Sequence, residues 1–213
     1  MTANDKNSGC IYRRWLRSFA LSCAVLFSAC GLHAQFSAKP FAAEMIKTVR
    51  NKTTTAKVNV TATAMRSEGV QDGHKYISIV RYDRKIMWSL MPDTRMYFEM
   101  PIPAGAEMAE GMKEMMKGVQ TKRESLASES MSGLLCEKSR MTVTWQGITS
   151  TTVEWAAKDL GGFVIKRQDE TTGEITEYKN IQPGPQDPSL FELPSGYKKM
   201  DMGAMTGRQN ADE

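Results

Sequence analysis

The chain has 213 residues, 41% of them hydrophobic, and carries 28 basic against 24 acidic side chains, a formal net charge of +4. That length is sufficient for one domain with a substantial core. Four basic and one acidic side chain lie in residues 1–34, so the remainder has a net charge of only +1, which gives no argument for binding nucleic acid or an anionic membrane surface.

Residues 1–34 have the pattern of a secretory signal peptide. Arg13, Arg14 and Arg17 precede the apolar run SFALSCAVLFSA at 18–29, and CGLHAQ follows. A basic region, an apolar region of about a dozen residues and a small residue at the cut define such a leader, and the run is too short for a membrane-spanning helix. The sequence therefore predicts export, with the periplasm as the expected location.

Two cleavage sites fit the end of this leader. A cut after Ala34 would release a soluble protein. The stretch Phe27-Ser28-Ala29-Cys30 resembles a bacterial lipobox, except that Phe27 stands where leucine is usual. A cut before Cys30 would make this residue a lipidation site, and its acyl chains would anchor the protein to a membrane. The residues leave both alternatives open.

From Ala56 onward the chain has the texture of an antiparallel sheet. The segment AKVNVTATAMR alternates apolar and polar residues, and KYISIVRYD, KIMWSLMP and RMYFEMP follow after turn signals. The second half continues with SRMTVTWQG, TTVEWAAKD and GGFVIKRQDETTGEITEYKNI. We expect a meander of roughly eight to eleven strands. FAAEMIKTVRNK fits either a strand or a helix, and TKRESLASE fits a helical or irregular segment.

One amphipathic segment interrupts the strands. GAEMAEGMKEMMKGV at 105–119 places apolar side chains at helical spacing, while glutamate and lysine occupy the other side. The sequence therefore predicts a helix that lies across the apolar side of the sheet. Its apolar stripe consists of Met108, Met112, Met115, Met116 and Val119.

No pattern in the sequence indicates catalysis or a metal site. A cut after Ala34 leaves Cys136 as the single cysteine, which excludes an intramolecular disulfide and favours a buried, inert thiol. His74, the single histidine beyond the leader, lies in the turn-like stretch QDGHK. Zinc sites and Ser–His or Cys–His catalytic sites need more histidine and cysteine than this. Copper sites built from methionine are expected to have histidine beside them. We predict a protein that is not an enzyme and has no cofactor.

Several blocks resemble a family of bacterial envelope proteins of unassigned function. They are the strand that ends in MRSE, the run WSLMPDTRMYFEMP from Trp88 to Pro101, the methionine-rich segment, and the closing LFELPSGY. The family is similar to the periplasmic carriers and outer-membrane receptors of lipoprotein sorting, the LolA/LolB-like superfamily. The resemblance covers residues 36–202 and leaves 203–213 as a disordered tail. It implies a mainly β (α+β) fold: a curved antiparallel sheet that forms an incomplete barrel, with the 108–119 helix as a lid.

These observations lead to a binding hypothesis. We expect an exported monomer that holds a lipid, or the acyl chain of a lipidated protein, on a concave face lined by methionine and aromatic side chains. The alternative is a structural or interaction protein of the envelope whose barrel is filled by its own side chains and whose surface meets an envelope protein partner. The predicted ligand-binding residues are Trp88, Met96, Phe98, Met108, Met112, Met115 and Met116.

Overall fold

Antiparallel strands make up most of the computed structural model, which describes residues 38–102 and 118–200. The first six strands are β1 (Phe41–Val49), β2 (Lys52–Val60), β3 (Ala64–Gln71), β4 (His74–Arg81), β5 (Ile86–Met91) and β6 (Met96–Pro101). The others are β7 (Gln120–Ser125), β8 (Glu129–Met131), β9 (Leu134–Trp145), β10 (Ile148–Ala157), β11 (Phe163–Asp169), β12 (Ile175–Pro183) and β13 (Lys198–Lys199). Two short 3-10 helices, η1 (Lys158–Leu160) and η2 (Pro188–Phe191), complete the described part.

Tight turns set the register of several hairpins. Asp72-Gly73, Ser132-Gly133 and Gln146-Gly147 each have two consecutive positive φ angles and join strands whose ends pair directly. Two positive φ angles in a two-residue loop match the right-handed twist of the flanking strands, and glycine adopts the second one without steric cost. The turn signals in the sequence thus fix which residues face each other.

The strands form a single open sheet in the order β13-β6-β5-β4-β3-β2-β1-β12-β11-β10-β9-β7, with β8 paired to β9. Most neighbours in this order are also neighbours in the chain. The long-range pairing of β1 with β12 joins the two halves, from Phe41 opposite Pro183 to Thr48 opposite Ile175.

The larger core cluster lies at the seam between these halves. Phe41 and Phe163 pack edge-to-face with ring centroids 4.9 Å apart, and Phe163 meets Tyr178 in the same manner at 5.1 Å. All three side chains are buried, and burial raises the pKa of the Tyr178 hydroxyl. These aromatic contacts join the beginnings of β1 and β11 to the middle of β12.

The second core cluster lies under the closing segment of the chain. Phe191 of η2 packs with Ile79, Trp88 and Leu90 of the sheet. Arg81 holds the segment in place, because its Nη1 donates to the backbone oxygen of Phe191 at 3.2 Å and to Oε1 of Glu192 at 2.5 Å. The closing block expected from the sequence therefore covers one face of β3–β5.

The mainly β architecture predicted from the sequence is confirmed, with thirteen strands in the described residues instead of eight to eleven. Residues 41–49 form a strand, which settles one open alternative. In the stretch proposed as helical or irregular, β7 occupies residues up to Ser125, because this exposed edge strand pairs with β9. The predicted lid helix, apart from its last two residues, the leader with Cys30 and the tail lie outside the described residues.

We expect Arg81→Met to lower the free energy of unfolding by about 2–3 kcal/mol, because it removes charge-assisted bonds to Phe191 and Glu192 and takes the arginine donor away from the backbone oxygen of Phe191. Arg84→Met is the matched control. Arg84 binds the same Glu192 carboxylate from a half-exposed position, so Arg84→Met should lower the free energy of unfolding by less than about 1 kcal/mol. Urea denaturation of both variants measures the difference, and equal losses would contradict this role for Arg81.

The ion pairs of Arg81 and Arg84 with Glu192 make the stability of the fold depend on pH. Hydrogen bonds from Arg84 and Arg81 hold the pKa of Glu192 below its ordinary value. A lowered pKa stabilises the fold above the ordinary glutamate pKa of about 4.3, and the stabilisation is lost as the pH falls through the folded-state pKa. The stability advantage of the natural protein over Glu192→Gln should therefore be constant near neutral pH and shrink below about pH 4. Denaturation curves from pH 7 to 3 test this, and an advantage that grew on acidification would have the wrong sign.

Candidate functional site

Strands β5 and β6 present different side chains on their two faces. Trp88 pairs with Glu99, and their side chains are joined by a hydrogen bond of 2.9 Å from the indole nitrogen to a carboxylate oxygen. They share the face that η2 covers, which we call the C-terminal face. Because side chains alternate along a strand, the opposite face carries the intervening residues. This methionine face consists, on β5 and β6, of Met87, Ser89, Met91, Met96, Phe98 and Met100.

The methionine face continues across β4 to β1 in three rows of paired residues. The first row is apolar and consists of Phe41, Val60, Met65, Val80, Met87 and Met100. The central row is small apart from its last member and consists of Ala43, Val58, Ser67, Ser78, Ser89 and Phe98. The third row contains Met45, Ala56, Gly69 and Tyr76, with Met91 and Met96 on β5 and β6.

Tyr76 fills the space that Gly69 leaves in the third row. A Cβ added at Gly69 would lie 3.1 Å from the Tyr76 hydroxyl and 3.2 Å from its ring, and 2.9 Å from the backbone oxygen of Thr55. Glycine therefore lets the aromatic ring lie directly on the strand. Burial raises the pKa of the Tyr76 hydroxyl, so the phenol is neutral at physiological pH.

The shape of this face follows from the three rows. Bulky thioether and aromatic side chains flank a floor of alanine and serine on β1 and β3–β5, and Phe98 ends that floor on β6. Met65, Met87 and Met91 are buried, whereas Tyr76, Met96 and Phe98 are only partly buried. The face thus has a packed base and apolar side chains that still reach solvent.

Beyond β1 one row of the same face is polar. Lys47 pairs with Thr176, Thr176 with Arg167, Arg167 with Glu154, and Glu154 with Ser139. The Glu154 carboxylate is almost fully buried, and its Oε1 lies 2.6 Å from Nη2 of Arg167. The pairing satisfies the buried charge, so this row bounds the apolar surface with a fixed ion pair.

The described residues bring together no group of three or more histidine, cysteine, aspartate or glutamate side chains that could hold a metal ion. Cys136 is buried, and burial raises the pKa of its thiol, as is typical of an unreactive cysteine. His74 begins β4 directly after a turn, half-exposed, with Nδ1 3.5 Å from Asp93.

The predicted site residues separate into three sets. Met96 and Phe98 lie on the methionine face. Trp88 lies on the opposite face of the sheet, the C-terminal face, where it is buried under the closing segment. Met108, Met112, Met115 and Met116 lie outside the described residues. The central serines were missed, because serine is common at solvent-facing strand positions, and only their register places them among apolar rows.

Neither a family model nor a curated protein sequence matches the chain. In fold, it is similar to an uncharacterized conserved protein from Thermus thermophilus, with a TM-score of 0.54, 12% identity, and coverage of 79% of this chain and 95% of that one. It is also similar to the Pseudomonas aeruginosa MucA/MucB complex structure, with a TM-score of 0.52, 10% identity and 77% of this chain covered. The matched region covers only 60% of the compared chain in that complex.

Lipoprotein LppX of Mycobacterium tuberculosis also resembles the chain, at a TM-score of 0.43, 14% identity and coverage of 73% and 93% of the two chains. A TM-score at this level is too low to support a common function. The likenesses to the Thermus thermophilus protein and to the MucA/MucB structure are likenesses of fold. Fold alone does not transfer an activity.

In the part of the chain that the structure describes, no helix has the length and apolar character needed to cross a membrane.

The position of Trp88 predicts a stability effect without a binding effect. Trp88→Phe removes the hydrogen bond to Glu99 and leaves a smaller ring in the core, so the free energy of unfolding should fall by about 1–2 kcal/mol. Binding of a fluorescent fatty-acid probe should be unchanged, because Trp88 lies on the C-terminal face. Denaturation and probe titration on the same sample check both statements, and a tenfold loss of probe affinity would show that Trp88 reaches the site.

Proposed function

We propose that this chain is an exported, non-catalytic protein that binds the acyl chain of a lipid or lipoprotein on its methionine face. The observation that carries the proposal is the apolar part of this face on β4–β6, where Tyr76, Met96 and Phe98 are partly accessible beside Ser78 and Ser89. Its continuation on β1–β3 is packed into the larger core cluster. Thioether side chains are flexible and polarizable, so they adapt to a ligand that lacks fixed shape.

Binding of this kind needs little polar chemistry. Each methylene group transferred from water to an apolar surface contributes about 0.8 kcal/mol, so ten of them contribute about 8 kcal/mol before the cost of ordering the chain. No reacting group is required, which agrees with the buried, unreactive Cys136. The fold likeness to MucB, whose structure was determined together with MucA, is also consistent with a binding role.

The leader places this binding outside the cytoplasm, in the periplasm, or on a membrane if Cys30 is the first residue of the mature protein. The prediction that Met108, Met112, Met115 and Met116 add to the apolar surface is part of the same proposal. Both points can be tested on protein exported with its own leader, because the intact mass reports acylation at Cys30 and extraction reports bound lipid.

A second candidate function is protein binding at the tip of the β9–β10 hairpin. Trp145 and Ile148 pair across this turn and are 48% and 71% exposed. An exposed apolar pair at a hairpin tip is typical of a contact surface for another protein. The MucA/MucB complex supports this alternative, since a protein of similar fold takes a protein partner.

Phe98→Glu distinguishes the two candidates. A carboxylate on the methionine face should weaken binding of a fluorescent fatty-acid probe at least tenfold, because the charge would lose its water when the chain binds. Val70→Glu is the matched control. Val70 of β3 is 54% exposed and lies on the C-terminal face, so this variant should bind the probe as the natural protein does.

Native mass spectrometry with lipid extraction provides the independent readout. Co-purified acyl lipid in the natural protein and in Val70→Glu, and its loss in Phe98→Glu, would agree with the proposal. An unchanged apo mass for the natural protein after incubation with lipids and lipopeptides would overturn it and favour the protein-binding alternative.

A further inference from the structure

We propose that Ser67, Ser78 and Ser89 form a strip of hydroxyl donors that binds the ester carbonyls of a diacylglyceryl group. The inference rests on the proposed function and deepens it: the ligand is an acyl chain held together with its ester linkage, from either a free glycerolipid or the lipid group of a lipoprotein. The serines would then select for the ester linkage, while the apolar rows beside them would bind the acyl chain.

The three serines occupy equivalent positions on consecutive strands. Ser67 of β3 pairs with Ser78 of β4, and Ser78 pairs with Ser89 of β5. Neighbouring strands lie about 4.8 Å apart, so the strip is roughly 10 Å long and crosses the strands at a right angle. Three hydroxyl groups therefore point to the same side of the sheet at regular spacing.

The environment of the strip is unusual for hydroxyl groups. Ser89 is 3% exposed and Ser67 is 8% exposed, and both lie between rows of methionine, valine and tyrosine side chains. Among the described residues, no side-chain hydrogen bond involves Ser67, Ser78 or Ser89, although the remaining buried polar groups of this face, Glu154 and Ser139, are bonded. Among the side-chain nitrogen and oxygen atoms of the described residues that are fully buried, only Nε of Arg140 lacks a hydrogen-bond partner. The serine hydroxyls are therefore not sealed inside the protein, and they can donate to a group that lies on this face.

The flanking rows define the space that the partner occupies. Residues two apart on a strand are about 6.6 Å apart, so the backbones of the two flanking rows are roughly 13 Å apart across the serine floor. A ligand lying there places apolar surface against methionine and its linkage over the serines.

An ester linkage fits this combination better than a headgroup does. A carbonyl oxygen accepts a hydrogen bond from a hydroxyl without bringing a charge into the apolar face. A phosphate or ammonium group would lose its hydration there and find no oppositely charged partner. The first two carbons of glycerol carry neighbouring ester groups, so two carbonyls lie within reach of adjacent donors on the strip. The charged part of the lipid would remain outside the rows.

The test compares two probes that differ only in their carbonyl groups. Dioctanoylphosphatidylethanolamine and its dioctyl ether analogue are titrated calorimetrically, below their critical micelle concentrations, into the natural protein and the double variant Ser67→Ala/Ser89→Ala. The natural protein should bind the ester about five- to tenfold more tightly than the ether, the range expected for a buried hydrogen bond between neutral groups. The double variant should bind both probes with the affinity of the ether.

Controls separate this result from misfolding and from failure of the proposed function. Ser130→Ala, an exposed serine of β8, should keep the full ester preference. Removing unpaired hydroxyls from an apolar surface should not lower the free energy of unfolding, and denaturation of the double variant checks this. Equal binding of both probes by the natural protein would overturn the serine strip alone. Binding of neither probe would overturn the strip and the proposed function together.

Discussion

The antiparallel register of β1–β6 is the constraint on which the candidate site depends. Side chains alternate with a period of two, so a slip of one residue in any pairing would exchange the two faces of that strand. The hairpin turn at Asp72-Gly73 fixes Gln71 opposite His74 and thereby Ser67 opposite Ser78. The three rows of the methionine face follow from turns of this kind and not from any property of the methionines themselves.

The two faces of the sheet are stabilised in different ways. The C-terminal face is covered by η2, whose Phe191 packs among Trp88, Ile79 and Leu90. Arginine side chains bind the segment at several points, since Nη1 of Arg66 donates to the backbone oxygen of Leu190 at 3.1 Å and Arg81 donates to that of Phe191. The segment therefore covers the centre of the C-terminal face, whereas Tyr76, Met96 and Phe98 remain partly accessible on the methionine face.

On the methionine face, stability and the proposed binding role make opposite demands. A row of valine or alanine would avoid the cost of removing most of the water around Ser67 and Ser89, whereas Ser78 is only partly buried. Further along the same face, the buried charge of Glu154 is paired with Arg167, so polar groups there are satisfied within the fold. Local features that cost stability tend to occur at functional sites, and the unpaired serines are such a feature.

The sequence by itself determined that the chain is mainly β and that its methionines and aromatics are concentrated near β5, β6 and the segment after them, and it predicts an export leader. These properties are local, since they depend on composition, on the period of two and on turn residues such as Asp72 and Gly73. Only the tertiary structure separated Trp88 from Phe98, joined β1 to β12, and aligned three ordinary serines in one row. Pairing partners and register arise from contacts between distant parts of the chain, and a strand's own residues do not specify which strand lies beside it or how far the two are offset.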